Sequence, residues 1–235
     1  MSSSYTNHRG NKIFTSYVDI RRTMAMTYFA ENRYDFKKGL IPKDLCAVAT
    51  QYALFRQKYF DHREDPVTGQ IPNTTSIYND TLMETLMFFM HPHMEEVTGL
   101  KLCPTYTYYR VYKPGDELKR HSDRPSCEIS TTVCLGWKYN DVPDDYRWGM
   151  YVDPESNHHT RDNFESENRE GVLLKHDPGD CIIYRGCELE HWRDPFEVGE
   201  GSYQVQVFMH YIDMNGPHYP EFAYDKRVGV AAPKN

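Results

Sequence analysis

His121, Ser122 and Asp123 stand together in the chain, and a second histidine, His191, follows sixty-eight residues after Asp123. Two imidazoles and one carboxylate on one face of a metal leave the opposite face open. That donor set suits an iron(II) ion that must hold a further ligand and dioxygen side by side. In an extended segment successive side chains alternate, so the first and third residues of His-x-Asp point the same way. One strand can thus supply two ligands, and a strand brought alongside by the fold must supply the third. The same donors suit a zinc-bound water, but the paired helical histidines of zinc hydrolases are absent. His91-x-His93, beside Pro92, is a second ligand-like pair that reads as a solvated helix end.

The elements that must position these residues fall into two textures. Residues 1–40 are polar and irregular, and 20–32 could form a short helix or a strand. Lys43 and Asp44 open a helix in which Leu45, Val48, Ala49, Tyr52, Leu54, Phe55 and Phe60 recur at roughly helical spacing. Asp65–Gly69 reads as a turn. A second helix spans Asp80 to Phe89 and extends through Met94–Val97. From Thr105 onward short β-type runs take over: Tyr106–Tyr112, Leu118–Asp123, Ile129–Leu135, Gly171–Lys175, Cys181–Tyr184 and Tyr203–Tyr211. Between them lies a polar, acidic stretch, 138–170, read as a surface insertion or a lid. Helices first and many antiparallel-type strands afterwards predict an α+β protein with a β-sandwich or barrel core.

The 235 residues include 39% hydrophobic and 26% charged side chains, enough for a packed core. Nineteen tyrosines suit a strand-rich structure. The net charge of -7 argues against general binding to nucleic acid, whose phosphates attract basic surfaces. No apolar run of about 18 residues occurs, and the N-terminus lacks the apolar core of a secretory signal, so a cytoplasmic protein without a membrane partner is expected. Six scattered cysteines without a Cys-x-x-Cys pair read as reduced thiols.

The ordered set Tyr112-x-x-Gly115, His121-x-Asp123, Pro178-Gly179-Asp180, His191 and a final long strand resembles the iron(II)/2-oxoglutarate-dependent dioxygenases, in their prolyl 4-hydroxylase-like branch. The resemblance covers about residues 100–213. It implies a double-stranded β-helix (jelly-roll, cupin-like) core with N-terminal helices packed on it. One domain is then expected: helical support over about 1–100, the catalytic core over about 101–213, and a tail over 214–235. It further implies iron(II) held by His121, Asp123 and His191, and 2-oxoglutarate chelating the metal through its 1-carboxylate and 2-oxo group. Dioxygen and 2-oxoglutarate would give succinate, carbon dioxide and a hydroxylated C–H bond, with ascorbate as an accessory reductant.

The 5-carboxylate of 2-oxoglutarate needs a cation at the far end of its site, because a charge-assisted bond there is strong and often bidentate. In the resembled family that cation lies nine to eleven residues beyond the distal histidine. Here those positions hold Glu200, Gly201 and Ser202, and the strand itself carries Gln204 and Gln206. Arg193, two residues past His191, is the nearest replacement, and Arg110 the second choice; a surface pair with Asp194 or Glu197 is the alternative for Arg193. Tyr112 matches the family position whose phenol contacts the cosubstrate. Thr132 and Ser130 alternate on one face of the following strand and could add hydroxyl donors, and Trp192 and Phe196 could wall the metal. The leading substrate is a prolyl residue of a peptide or protein. The alternatives are a free amino acid or another small metabolite, or a non-catalytic cupin-like metal-binding module. AlkB-type nucleic-acid repair fits poorly, because its arginine-rich pattern after the distal histidine is missing.

Overall fold

A computed structural model describes residues 27–59, 71, 74–157 and 170–227, together with the backbone of two short paired strands, β1 (Tyr5–Thr6) and β2 (Lys12–Ile13). Three helices are described: α1 (Tyr28–Asn32), α2 (Lys43–Tyr59) and α3 (Thr81–Thr98). The remaining strands are β3 (Tyr34–Lys37), β4 (Thr75–Tyr78), β5 (Leu102–Tyr112), β6 (Leu118–His121), β7 (Ile129–Lys138), β8 (Met150–Val152), β9 (Val172–Leu174), β10 (Cys181–Arg185), β11 (His191–Arg193) and β12 (Tyr203–Asp213). They form a six-stranded sheet in the order β3-β10-β7-β12-β5-β4 and a four-stranded sheet in the order β6-β11-β8-β9, antiparallel throughout. This is the expected jelly roll.

Alternation along the long strands separates two faces of the larger sheet. Tyr109, Val111, Val133, Leu135, Val205 and Val207 face the helices and join the main core with Met83, Met87 and Met90 of α3. Tyr106, Tyr108, Tyr112 and Phe208 face inward and meet Leu118, Trp148 and Phe196 from the side of the smaller sheet. The even-numbered residues of these strands thus point into the interior between the sheets, and Arg110, Tyr112, Ser130, Thr132, Gln204 and Gln206 are all buried there.

Helix α3 begins where its sequence says it should. Asp80 accepts hydrogen bonds from the N–H groups of Leu82 and Met83, and Gly99 ends the helix at φ 73°, a left-handed conformation that glycine adopts without a steric cost. Pro92 sits inside the helix on its exposed side, so its missing N–H touches only the solvent-facing row of carbonyls. His91 is mid-helix rather than at a solvated end; its Nε2–H donates to the Leu102 carbonyl at 2.8 Å and its ring stacks on Tyr211.

Several expectations need correction. In α2 the buried face is Cys46, Ala49, Thr50 and Ala53, while Val48 and Phe55 are exposed, because the small residues allow close approach to β7. The strand leading to the first ligands ends at His121, so Asp123 lies just beyond it. The stretch 138–170 is not wholly surface: it contains β8, and Trp148, Met150 and Val152 are buried. Phe60, the turn at 65–69, His158, His159 and Arg161 lie outside the described residues. All six cysteines are free thiols. Among the described residues no helix is long and apolar enough to cross a membrane.

Candidate metal centre

Strands β6 and β11 pair so that His191 lies directly opposite His121. Cross-strand partners on one face come within side-chain reach, and the two imidazole centroids are 4.3 Å apart. Asp123 is brought to the same point by its backbone, whose N–H donates to the Gly186 carbonyl at 2.8 Å. Its Oδ1 lies 3.6 Å from Nε2 of His121 and 3.6 Å from Nε2 of His191. Metal–nitrogen bonds of about 2.1 Å meeting at 90–110° separate ligand atoms by roughly 3–3.4 Å, so a small inward adjustment would close the cluster on one ion.

The tautomers suit that use. Nδ1–H of His121 donates to the Lys119 carbonyl at 2.7 Å, and Nδ1–H of His191 donates to the Leu189 carbonyl at 3.0 Å. Each ring therefore presents an unprotonated Nε2 to the cluster, and the carbonyls fix its orientation. Burial and the neighbouring His191 ring push the His121 pKa down to about 4. Burial opposes ionisation of Asp123, but the imidazoles of His191, His121 and His210 around it hold its carboxyl far below the usual range. An unprotonated ring nitrogen and an ionised carboxylate are what a divalent cation requires of its ligands.

Behind the carboxylate, the Ser130 hydroxyl bridges Asp123 Oδ2 at 3.1 Å and His210 Nδ1 at 2.8 Å. Ser130 was anticipated only as a hydroxyl donor, and His210 had no sequence signal beyond its place on the last strand. Asp123, Cys127 and His210 form a second cluster of potential ligands that shares Asp123. Burial and the adjacent Asp123 raise the Cys127 thiol well above its ordinary pKa, which disfavours the thiolate a metal would need. Gly186 packs against the same carboxylate: a Cβ there would lie 2.4 Å from Asp123 Oδ2 and 2.3 Å from the Cys127 carbonyl.

Deeper in the interior stands Arg193, fully buried on the same face of β11 as His191. Its Nη1 donates to the Gly149 carbonyl at 2.9 Å, while Nε and Nη2 have no partner. The surface pair with Asp194 or Glu197 does not form; both of those residues are exposed and Arg193 is not. Tyr112 lies alongside, its ring 5.8 Å from the Arg193 guanidinium and its hydroxyl also unpartnered. Thr132 donates to Gln206 Oε1 at 3.0 Å, and the Gln206 amide meets His176 Nε2 at 2.6 Å, so Thr132 belongs to a buried polar chain. An uncompensated buried cation is costly, and two free guanidinium donors beside a free phenol are what a carboxylate would satisfy. The donors present thus fit both an iron(II) ion and a dicarboxylate cosubstrate.

Arg110 is also buried, with Nη2 donating to the Tyr108 hydroxyl at 3.0 Å and Nε unpartnered; it forms no ion pair among the described residues. Phe196 is core, stacked on Trp148. Trp192 is not a wall for the metal: it points to the opposite side of β11, sandwiched between Tyr151 and the Arg120 guanidinium.

No family model matches the sequence, and no curated protein matches it. Solved structures do. A Pseudomonas putida prolyl-4-hydroxylase aligns with a TM-score of 0.53 at 13% identity, covering 79% of this chain and 95% of that one. The alpha-ketoglutarate-dependent epimerase SnoN from nogalamycin biosynthesis aligns at 0.61 and 15%, covering 88% and 90%. HygX from Streptomyces hygroscopicus, solved with nickel and 2-oxoglutarate bound, aligns at 0.56 and 12%, covering 80% and 85%. The chain therefore has the jelly-roll fold of the iron(II)/2-oxoglutarate-dependent dioxygenases.

Proposed function

We propose that this protein is an iron(II)- and 2-oxoglutarate-dependent dioxygenase that hydroxylates an unactivated C–H bond. The observation that carries the reading is the convergence of His121, Asp123 and His191 on one point, with an unsatisfied buried arginine, Arg193, on the same inward face. Iron(II) bound there would supply the redox chemistry that couples dioxygen to conversion of 2-oxoglutarate into succinate and carbon dioxide.

The chain's own residues would hold and orient. His121 and His191, locked by carbonyls at Nδ1, present Nε2 to the ion, and Asp123 balances part of its charge. Arg193 receives the 5-carboxylate of 2-oxoglutarate through Nε and Nη2, and Tyr112 adds its hydroxyl. Trp148, Phe196 and Leu118 make the surrounding interior apolar and exclude water, which strengthens each of these contacts. Arg193 replaces the cation that the family carries further along the last strand, where this chain has the Gln204 and Gln206 amides.

For the primary substrate, motif spacing and the Pseudomonas putida prolyl-4-hydroxylase favour a prolyl residue in a peptide. The likeness to SnoN and HygX favours a small molecule: both are matched over at least 80% of this chain, and HygX is also solved with hygromycin B bound. The test is succinate formation from 2-oxoglutarate with iron(II) and ascorbate, in the wild type and in His121→Ala. The reading expects iron-dependent succinate in the wild type and its loss by at least about 100-fold in the variant. Equal turnover in both proteins, or zinc-supported and oxygen-independent hydrolysis, contradicts it.

A further inference from the structure

The interior holds two buried guanidinium groups, and the cosubstrate accounts for one. Arg110 is 2% exposed, its Nε lacks a partner, and among the described residues it faces no carboxylate within ion-pair distance. Its pleat neighbours Tyr108 and Tyr112 pack their rings 5.2 and 5.4 Å from its guanidinium. Arg110 lies opposite Gln206 of β12, and its Nη2 turns to the Tyr108 hydroxyl at 3.0 Å, toward the end of β5 where the Tyr106 ring meets His210 behind Asp123. Arg193, by contrast, packs 5.0 Å from the Trp148 ring and 5.8 Å from the Tyr112 ring.

We propose that Arg110 binds a carboxylate of the primary substrate and holds it beside the metal, so that the substrate is a small carboxylate on an apolar or aromatic frame. This rests on the dioxygenase reading of the same site. The apolar part has its own surface: the Tyr108 ring lies 5.2 Å from the Arg110 guanidinium and Phe208 lies 6.1 Å beyond it, facing the same interior. Arg193 is fully enclosed at 0% exposure, and Arg110 is buried at 2%. A guanidinium with a free Nε in an aromatic surround selects a carboxylate, because an amide or ester would leave the cation uncompensated. An internal prolyl residue of a peptide carries no such group. The inference therefore moves the substrate from peptides to small acids, free amino acids included.

The experiment is anaerobic calorimetry on the iron(II)-loaded protein, with and without 2-oxoglutarate. The probes are L-proline, L-phenylalanine, L-tyrosine and phenylacetate, each against its primary amide, and one peptide with an internal proline. The proposal expects at least one acid to bind about 10- to 100-fold more tightly than its amide. Arg110→Gln should erase that preference while 2-oxoglutarate affinity stays within about threefold, and Arg110→Lys should keep part of it. Melting temperatures check that the variants fold. Equal binding of acids and amides, no binding of any acid, an unchanged preference in Arg110→Gln, or tighter binding of the peptide than of every acid would overturn it. Loss of 2-oxoglutarate affinity in Arg110→Gln would also overturn it, by giving Arg110 to the cosubstrate. Failure of 2-oxoglutarate to bind the wild type is read separately and counts against the dioxygenase reading, while the acid-over-amide comparison still decides this one.

Discussion

The Arg193 guanidinium is sealed among Trp148, Tyr112 and Gly149, with Nη1 on the Gly149 carbonyl and its Nε and Nη2 donors free. Arg193→Ala should therefore weaken 2-oxoglutarate binding by about 1–3 kcal/mol, the usual worth of a charge-assisted bond, while iron(II) affinity stays nearly constant. Calorimetric titration with each ligand separates the two, and an unchanged 2-oxoglutarate affinity would remove the assignment. Gly186 gives the converse case, a residue with no side chain that matters to the metal. Gly186→Ala should push the Asp123 carboxylate aside and reduce iron(II) affinity by about 10- to 100-fold, the range seen when the support of a ligand is disturbed; full retention of affinity would show that the backbone yields instead. The three proposed ligands were readable from the sequence because His-x-Asp and the later histidine sit inside an ordered set of turns and strands. Arg193 was readable because i and i+2 share a face of a strand. Gly186, His176 and His210 were not, since each matters through a contact with residues 30 or more positions away.

At the scale of elements, helix α3 was plain in the sequence because its cap, its buried methionines and its closing glycine agree. The three-residue strands β8 and β11 were not, because a strand that short has no period to detect. They form only because β6 and β9 hold the outer edges of their sheet. The acidic composition around Trp148 hid its burial for the same reason: neighbours along the chain are solvated while the indole packs across the sheets. The link between β9 and β10 shows a further cross-element device. His176 there joins Gln206 on β12 and through it Thr132 on β7. Burial, aided by the charge of Arg193, pushes its pKa down to about 3. An unfolded histidine titrates near 6.5, so between those values the unfolded chain binds the proton first and stability falls as pH falls. In urea unfolding of metal-free protein, the loss of stability from pH 7 to pH 5 should be about 2 kcal/mol smaller in His176→Gln than in the wild type. Identical losses would mean that His176 is protonated in the folded state.

For the molecule as a whole, two antiparallel sheets close around an interior that is aromatic on its walls and charged at chosen points. The overall class was readable from the change of texture near Thr105, helices before and short strands after. The order of strands across each sheet was not, because pairing joins β5 to β12 across about a hundred residues. In the smaller sheet the pairing of β6 with β11 across 70 residues sets His191 opposite His121, and the account stands on it. The direct measurement is anaerobic iron(II) titration of the wild type, His191→Ala and Cys127→Ser. The account predicts one ion per chain in the wild type, loss of affinity by at least about 100-fold in His191→Ala, and near-normal binding in Cys127→Ser. Iron binding that survives in His191→Ala but disappears in Cys127→Ser would place the metal at the other cluster and contradict the account.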